Sequence, residues 1–414
     1  MLNQKLIRVM QSKAQKTYDY LAAIICLSIP FMTYAKAFVN IVMISMLILT
    51  FFIFNLKKIK QFIDQKYFKI FFGFFMFCLT TSLINNSILD DFSEIRKIAQ
   101  SVLLMILFVL VYNKEKLVNA LILGTIVSAI ITCSNILAYQ LNLTESLPLT
   151  GSLVNKLYIT QRLYLGFLIV ISLIFLTEKF SRTKHKTHKI VIIFLSLFLF
   201  SALFIVSSRS SILIAFILFS ISAFYMLNKS LRYLFIAFIS LTFLLIIFNN
   251  KTLSKRFLYS DDTTRETILD KIKTHEPRYD IWKYSGQIFI EENPYLIGIG
   301  TYKTQKLLSD KYKMIKIERR KNWFIERNFN THNQYLDFAI SFGITGLFIF
   351  LFFINNIVSN TLKNIYSLNL VTSLFLILLI ENLFHRQLGS FLFSLIIILA
   401  IFLQNPKNEK NISS

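Results

Sequence analysis

Residues 189–227 read KIVIIFLSLFLFSALFIVSSRSSILIAFILFSISAFYML, an apolar run with one polar break at Ser207–Ser211. One membrane crossing needs about 20 mainly apolar residues, because an α-helix rises about 1.5 Å per residue and the hydrocarbon layer is about 30 Å thick. The run is therefore too long for a single crossing, and it predicts two helices that fold back on each other at the polar break. Such a hairpin is typical of a polytopic α-helical membrane protein.

The composition of the whole chain supports this class. Of the 414 residues, 55% are hydrophobic and 16% are charged, whereas a water-soluble domain has about 45–50% apolar and about 25% charged residues. So small a charged fraction cannot cover a water-exposed surface, which excludes a soluble enzyme. We therefore predict an all-α polytopic membrane protein surrounded by membrane lipids.

Hydropathy along the chain predicts about twelve membrane-spanning helices. The predicted spans cover residues 19–35, 38–56, 67–85, 97–112, 117–139, 159–177, 189–207, 210–227, 231–249, 333–354, 366–383 and 388–404. These spans divide the chain into three regions. Spans one to nine occupy residues 1–249, a long polar segment occupies 250–332, and the last three spans with a short tail occupy 333–414.

The lysine and arginine residues predict how the spans are oriented. Loops on one side of the predicted membrane carry about three times as many of them as loops on the other side, and the positive-inside rule places the basic side in the cytoplasm. Both termini are then cytoplasmic, and segment 250–332 lies on the outer side, since long segments are translocated largely regardless of charge. The formal net charge of +23 is thus explained mainly by topology, and no nucleic-acid partner is expected.

Arg209 lies inside the polar break of the quoted run, at the outer end of the predicted hairpin. Arginines within or beside a membrane are usually functional, and the planar guanidinium group can donate two parallel hydrogen bonds to a phosphate. Arg209 is therefore a candidate ligand for an anionic group at the outer interface. The alternative is a turn residue whose side chain reaches the lipid headgroups.

The outer segment contains a helical pattern that is followed by a histidine. Glu276-Pro277-Arg278 is typical of a helix start, with proline in the first turn, and Asn293-Pro294 ends the helix. His332 stands where the chain re-enters the membrane, and a histidine with a near-neutral pKa can accept a proton from a sugar hydroxyl. The alternative for His332 is a polar interface residue without a chemical role.

Two further patterns are predicted to be structural. Gly298-Ile299-Gly300 follows no strand, so a tight backbone turn is a better interpretation than a nucleotide-binding loop. The acidic pair Asp90-Asp91 is expected to be solvated, because adjacent helical side chains point about 100° apart and seldom share a metal. The chain contains no D-x-D motif, so neither a metal nor another cofactor is expected.

Taken in order, several motifs resemble those of the O-antigen ligase and polymerase superfamily. The matching elements are Ser207–Ser211 around Arg209, Pro277-Arg278-Tyr279 followed by Trp282, Asn293-Pro294 with Gly298 and Gly300, His332–Leu336, and Gly343–Leu347. Glu381 and the Arg386–Gly389 stretch also fit the last hairpin of that superfamily. The motifs cover about residues 190–400, and the predicted topology extends the resemblance to the whole chain.

The resemblance implies a fold and a reaction. Such proteins are membrane bundles similar to the GT-C class of glycosyltransferases, with one long, partly helical periplasmic loop. The ligases transfer a glycan from undecaprenyl pyrophosphate to lipid A–core oligosaccharide at the periplasmic face of the bacterial inner membrane. By residue, the resemblance implies that His332 deprotonates the acceptor hydroxyl and that Arg209 and Arg278 bind the pyrophosphate. Arg162 and Arg386 are expected to add positive potential, the alternative being anchors for lipid headgroups.

Two alternative functions stay open. An O-antigen polymerase of the same superfamily would pass the glycan to another lipid-linked glycan, and such proteins tend to have two comparable outer loops, whereas 140–158 is short and 250–332 is long here. A lipid-linked glycan transporter or flippase would place several charged or broken spans near the bilayer midplane, and few ionisable residues lie deep in the predicted spans. The ligase is therefore preferred, and direct attack by the acceptor oxygen would make the reaction inverting.

Overall fold

The fold is given by a computed structural model that describes residues 2–53, 55–142, 156–249, 254, 273–274 and 276–404. Within these residues all regular structure is helical, which confirms the predicted all-α class. The helices are α1 (Leu2–Ser28), α2 (Lys36–Ile53), α3 (Leu56–Ile63), α4 (Lys66–Ile84), α5 (Ile88–Leu110), α6 (Lys114–Asn142), α7 (Arg162–Arg182), α8 (Lys186–Val206), α9 (Arg209–Met226), α10 (Lys229–Asn249), α11 (Pro277–Glu292), α12 (Thr301–Tyr312), α13 (Glu318–Arg327), α14 (Gln334–Ser341), α15 (Gly343–Thr361), α16 (Ile365–Leu378) and α17 (Gln387–Gln404). Short 3-10 turns follow α1 at Ile29–Phe31 and precede α17 at Leu383–His385.

Eight of the described helices are long and apolar enough to cross a membrane, namely α2, α4, α6, α7, α8, α9, α15 and α17. Their number supports a polytopic membrane protein. The spans predicted over 19–35, 97–112, 231–249 and 366–383 overlap α1, α5, α10 and α16, of which α16 is apolar but shorter. The total of about twelve spans stays a prediction.

The quoted apolar run forms two helices, as predicted. α8 ends at Val206 and α9 begins at Arg209, and Ser207 ends α8 with a left-handed backbone (φ 53°). The turn lies close against α7, because a Cβ atom at Gly166 would lie only 2.5 Å from the Ser211 hydroxyl. Glycine at this position allows α7 to approach the residues that hold Arg209.

Phenylalanine rings fill the contact between α4, α14, α15 and α17. The ring centroids of Phe74 in α4 and Phe338 in α14 lie 4.8 Å apart, and those of Phe338 and Phe350 in α15 lie 4.9 Å apart. Phe71 in α4 and Phe393 in α17 lie 5.1 Å apart, and all five rings are buried. Aromatic pairs of this kind add about 0.5–1.5 kcal/mol each beyond the burial of their area. The cluster therefore fixes the position of α14 in the bundle.

The described part of the outer segment folds around its own small hydrophobic cluster. α11 begins with Pro277 and ends where Asn293 adopts a left-handed backbone (φ 47°), as the sequence predicts. Ile281 of α11, Leu308 of α12 and Phe324 of α13 are fully buried members of one cluster. Burying such side chains stabilises the segment by about 1.5–3 kcal/mol each. α11, α12 and α13 therefore form one packed unit.

The span predicted over residues 333–354 is divided into α14 and α15. The break lies at Gly343, which has a left-handed backbone (φ 75°). The Gly-Ile-Gly segment lies against this break. The N–H of Gly300 donates to the Ser341 carbonyl oxygen at 2.9 Å, and a Cβ atom at Gly298 would lie 2.1 Å from the Ser341 carbonyl carbon. Gly298 permits this close backbone approach, and Gly300 adopts a left-handed backbone (φ 84°), which agrees with the structural role expected for both glycines.

Asp91 joins the outer segment to the membrane helices. Its side chain is fully buried and accepts hydrogen bonds from the hydroxyls of Ser82, Ser87 and Thr301 at 2.7, 2.5 and 2.8 Å. It also accepts from the N–H of Tyr302 at 2.8 Å, at the start of α12, where a negative charge is favoured. The prediction that both members of this acidic pair are solvated is therefore wrong for Asp91.

Replacing Asp91 by alanine is expected to loosen the outer segment. The change removes a charged acceptor and leaves its buried donors without a partner, which costs roughly 3 kcal/mol. In detergent micelles, a protease at limiting concentration should then cleave the outer segment about 100-fold faster than in the wild type. The matched control is Asp90→Ala, which removes the same charge from an exposed neighbour. Equal cleavage rates for the two variants would contradict the role of Asp91.

Candidate active site

His332 lies immediately before α14. Its backbone is left-handed (φ 45°), a conformation that is uncommon for residues other than glycine and that occurs often at functional sites. The His332 N–H donates to Asn330 Oδ1 at 3.1 Å. The Asn333 side chain caps α14 by accepting from the N–H groups of Tyr335 and Leu336 at 3.1 Å. The neighbouring asparagines thus stabilise the backbone that directs the imidazole ring.

Glu381 orients the His332 ring. Nδ1 of His332 lies 3.2 Å from Oε2 of Glu381, whose side chain is buried just beyond the last turn of α16. Oε1 of Glu381 accepts from the Tyr164 hydroxyl at 3.4 Å and lies 3.5 Å from Nε of Arg386. When Nδ1–H donates a hydrogen bond to Glu381, Nε2 keeps its lone pair and can take a proton from a substrate.

The charge of Glu381 is maintained by the groups around it. Its carboxylate is buried, but the hydrogen bond from His332 and the positive charges of Arg386 and Arg278 favour the ionised form. An ionised partner stabilises the imidazolium that forms when His332 accepts a proton.

Arg209 and Arg278 converge on one carboxylate. Nη2 of Arg209 lies 2.7 Å from Oε2 of Glu276, and Nη1 of Arg278 lies 3.3 Å from Oε1 of the same residue. Nη2 of Arg278 also donates to the Ile380 carbonyl oxygen at 3.3 Å, and Ile380 precedes Glu381. Arg278 and His332 therefore contact two consecutive residues, Ile380 and Glu381. This arrangement brings the predicted anion ligands close to the predicted base.

The two arginines form a position suited to an anion. Their side chains are each 26% exposed, so a ligand from solvent can reach them. Nε of Arg278 is buried and has no hydrogen-bond partner among the described residues. The positive charge here comes from guanidinium groups. In the described part of the chain, no group of three or more His, Cys, Asp or Glu side chains is placed to hold a metal ion.

Both arginines predicted as accessory cations lie beside this site. Arg162 begins α7, and its Nε donates to the Tyr158 hydroxyl at 3.1 Å. Tyr158 in turn donates to the Val206 carbonyl oxygen at 3.1 Å, in the turn before Arg209. Arg386 contacts the carboxylate that orients the histidine. The structure thus places all five predicted site residues at one end of the helix bundle.

A second histidine–carboxylate pair anchors the loop that carries Glu381. His385 Nε2 lies 2.9 Å from Asp337 Oδ2 in α14, and Gln334 Oε1 accepts from the Phe384 N–H at 3.1 Å. Burial alone would lower the pKa of His385, but the charge of Asp337 and its hydrogen bond raise it above the ordinary value. These contacts tie the loop after α16 to the start of α14.

Sequence patterns alone do not identify four of the residues around this site. Glu276 is interpreted only as part of a helix start, and Glu381 only as a member of the last hairpin. For Glu381 a signal exists, because a lone acidic residue next to an apolar span is often functional. Asp337 and His385 lie in different helical segments with no shared spacing, so only the fold brings them together.

An apolar groove of about 270 Å³ lies between α8, α9 and α10. It is lined by Phe200, Leu203, Phe204, Ile212, Ala215, Phe216, Phe219, Phe235, Phe238, Ile239 and Thr242. Ile212 follows Arg209 by about one helical turn in α9. The groove therefore begins about one helical turn from Arg209 and continues between apolar helices.

Comparison with known proteins agrees with the motifs. Residues 193–351 match the protein family described as O-antigen ligase, which confirms the resemblance to the O-antigen ligase superfamily. The matched region contains Arg209, Arg278 and His332, and it ends before Glu381 and Arg386. A search of curated proteins found no match.

Proposed function

We propose that this protein is an O-antigen ligase of lipopolysaccharide biosynthesis. It would transfer a glycan from undecaprenyl pyrophosphate to a sugar hydroxyl of lipid A–core oligosaccharide. The observation that carries the proposal is the junction at residues 380–381, where Arg278 binds the Ile380 carbonyl oxygen and Glu381 orients His332. A base and anion ligands joined in this way suit a reaction in which a hydroxyl loses a proton while a pyrophosphate leaves.

In the proposed mechanism, His332 activates the acceptor. Nε2 accepts the proton of the acceptor hydroxyl as its oxygen attacks C1 of the donor sugar. The bond between C1 and the pyrophosphate oxygen breaks, and its electron pair leaves with the pyrophosphate. Glu381 stabilises the imidazolium that results. Because the acceptor attacks C1 directly, without a covalent enzyme intermediate, the configuration at C1 is inverted.

Arg209 and Arg278 stabilise the charge that gathers on the leaving pyrophosphate. Guanidinium groups held in place before the reaction stabilise the transition state more than the ground state. The Glu276 carboxylate, which now lies between them, has to move when the donor binds. Arg162 and Arg386 add positive potential to the same region. Since arginines supply the charge, we propose a metal-independent reaction that needs no cofactor.

The polyprenyl tail of the donor is proposed to lie in the apolar groove between α8, α9 and α10. The support is its position one turn from Arg209 and its phenylalanine lining. We further propose that the chain spans the bacterial inner membrane about twelve times as a GT-C-like bundle. Both termini would be cytoplasmic, and the site, with segment 250–332, would face the periplasm, as the distribution of lysine and arginine favours.

The function can be tested with purified protein in liposomes that contain a lipid-linked glycan and lipid A–core. We expect glycan joined to lipid A–core, at the same rate with and without a chelator such as EDTA. Loss of product in the chelator would overturn metal independence. Elongated lipid-linked glycan in place of the ligated product would identify a polymerase. Glycan that crosses the bilayer without being joined would identify a flippase.

A further inference from the structure

Helix α13 presents an exposed face that includes a tryptophan. Arg319, Trp323 and Arg327 follow each other at four-residue spacing, which places them on one side of the helix. Both arginines are exposed, and Trp323 is 38% exposed. Phe324, about 100° around the helix from Trp323, is fully buried in the cluster of the outer segment. Phe324 therefore anchors α13, and the exposed face remains open for contact with another molecule.

Aromatic rings connect this face to the candidate base. The ring centroids of Trp323 and Phe329 lie 5.0 Å apart, and those of Phe329 and His332 lie 5.7 Å apart. The indole therefore lies within about 11 Å of the imidazole, a distance that one or two sugar units can span. Trp323, Phe329 and His332 thus form a row of rings that extends from the exposed face of α13 to the residue proposed to deprotonate the acceptor.

The two arginines beside the indole differ from the other basic residues of α13. Arg320 lies 2.7 Å from Asp280, and Lys321 lies 3.0 Å from Glu318. Among the described residues, no carboxylate lies within ion-pair distance of Arg319 or Arg327. Both guanidinium groups are exposed, so an anionic ligand from outside can reach them.

We propose that the Arg319–Trp323–Arg327 face and Phe329 form the binding subsite for the acceptor, an oligosaccharide that carries phosphate or other acidic groups. This assignment rests on the proposed ligase function. A sugar ring has an apolar face of C–H groups that stacks on an indole or phenyl ring, while arginine donates paired hydrogen bonds to a phosphate. A sugar held on Trp323 and Phe329 would present the next unit of the chain to His332.

The binding of the acceptor can be measured by the fluorescence of Trp323. The chain has two tryptophans, so Trp282→Phe in the full-length protein leaves Trp323 as the only one. The probe is phosphorylated core oligosaccharide released from lipid A, titrated into the protein in detergent. We expect a saturable change in emission. Removing the phosphates from the probe, or introducing Arg319→Gln with Arg327→Gln, should raise Kd about tenfold.

The matched control is Lys321→Gln, which removes the same charge from α13 but from a residue that pairs with Glu318. Its Kd should equal that of the parent. In transfer assays, Trp323→Leu should raise KM for lipid A–core about tenfold and leave KM for the lipid-linked donor unchanged. The far-ultraviolet circular dichroism of each variant, compared with that of the parent, shows whether it is folded.

The outcomes of these experiments separate this subsite from the proposed function. A protein that joins glycan to lipid A–core while Trp323 emission stays constant on titration would overturn the subsite alone. Equal affinity of the parent and the double arginine variant would overturn the role of the charges. Saturable binding at Trp323 in a protein that joins no glycan would support the subsite and overturn the ligase function.

Discussion

The His332→Ala variant is expected to insert normally in the membrane and to lose glycan transfer. Removing a general base lowers the rate by about 10²–10⁴-fold, and the acceptor hydroxyl is too weakly acidic to react without one. In cells that lack their own copy, the variant should produce lipopolysaccharide without the ladder of attached glycans. In liposomes, the initial rate of transfer gives the size of the loss.

The matched control for His332 is His185→Ala. His185 is exposed and precedes α8, at the opposite end of this helix from Arg209, so the same side-chain truncation should leave transfer unchanged. Glu381→Gln is informative as a second variant, because the glutamine side-chain oxygen can accept the hydrogen bond from Nδ1–H but the side chain carries no charge. Its rate should fall less than that of His332→Ala. A normal ladder from His332→Ala would remove this histidine from the mechanism.

The second large loss of transfer activity is expected for the Arg278→Ala variant. This arginine contacts Glu276 and the Ile380 carbonyl oxygen, and we propose that it stabilises the leaving pyrophosphate. Losing one preorganised donor of this kind typically costs about 10²–10³-fold in kcat. Arg278→Lys should retain part of the activity, because lysine restores the charge but not the paired donors. Initial rates at saturating donor and acceptor measure both losses.

The matched control is Arg96→Ala, since Arg96 is an exposed arginine of α5 outside the site. Its rate should equal that of the wild type. Comparable activity of Arg278→Ala and Arg96→Ala, with both proteins inserted at the same level, would show that the arginine site does not act on the pyrophosphate. Loss of activity in both variants would instead indicate a general effect of removing a positive charge.

The helices were largely predictable because about 20 apolar residues in a row have few other stable structures in a membrane. The division of the span at 333–354 was not predictable in this way. The break lies between Phe342 and Gly343, in an apolar stretch, and depends on the close approach of the Gly-Ile-Gly segment. Hydropathy measures the transfer of single residues from water into lipid, so it gives no information on a contact between two distant segments.

The candidate site shows the same limit. Arg209, Arg278 and His332 could be singled out because a charge or a histidine beside an apolar span is unusual. The contact of Asp337 with His385 beside the site could not be predicted, because only the fold brings these two distant residues together. Burial and pairing of an acidic residue depend on the fold, whereas its chemical type is visible in the sequence.

The carboxylate of Glu276 gives the arginine site a resident counterion. An entering anion has to displace a carboxylate that is already held by two guanidinium groups. Its net affinity is therefore the difference between its own binding free energy and that of the carboxylate. Chloride brings a single charge and cannot form paired hydrogen bonds, so it gains little from the exchange. A pyrophosphate brings more charge and more acceptor oxygens than a carboxylate. The internal competitor therefore sets a threshold for entry. In the function we propose, this threshold excludes simple inorganic anions and admits the pyrophosphate of the lipid-linked donor.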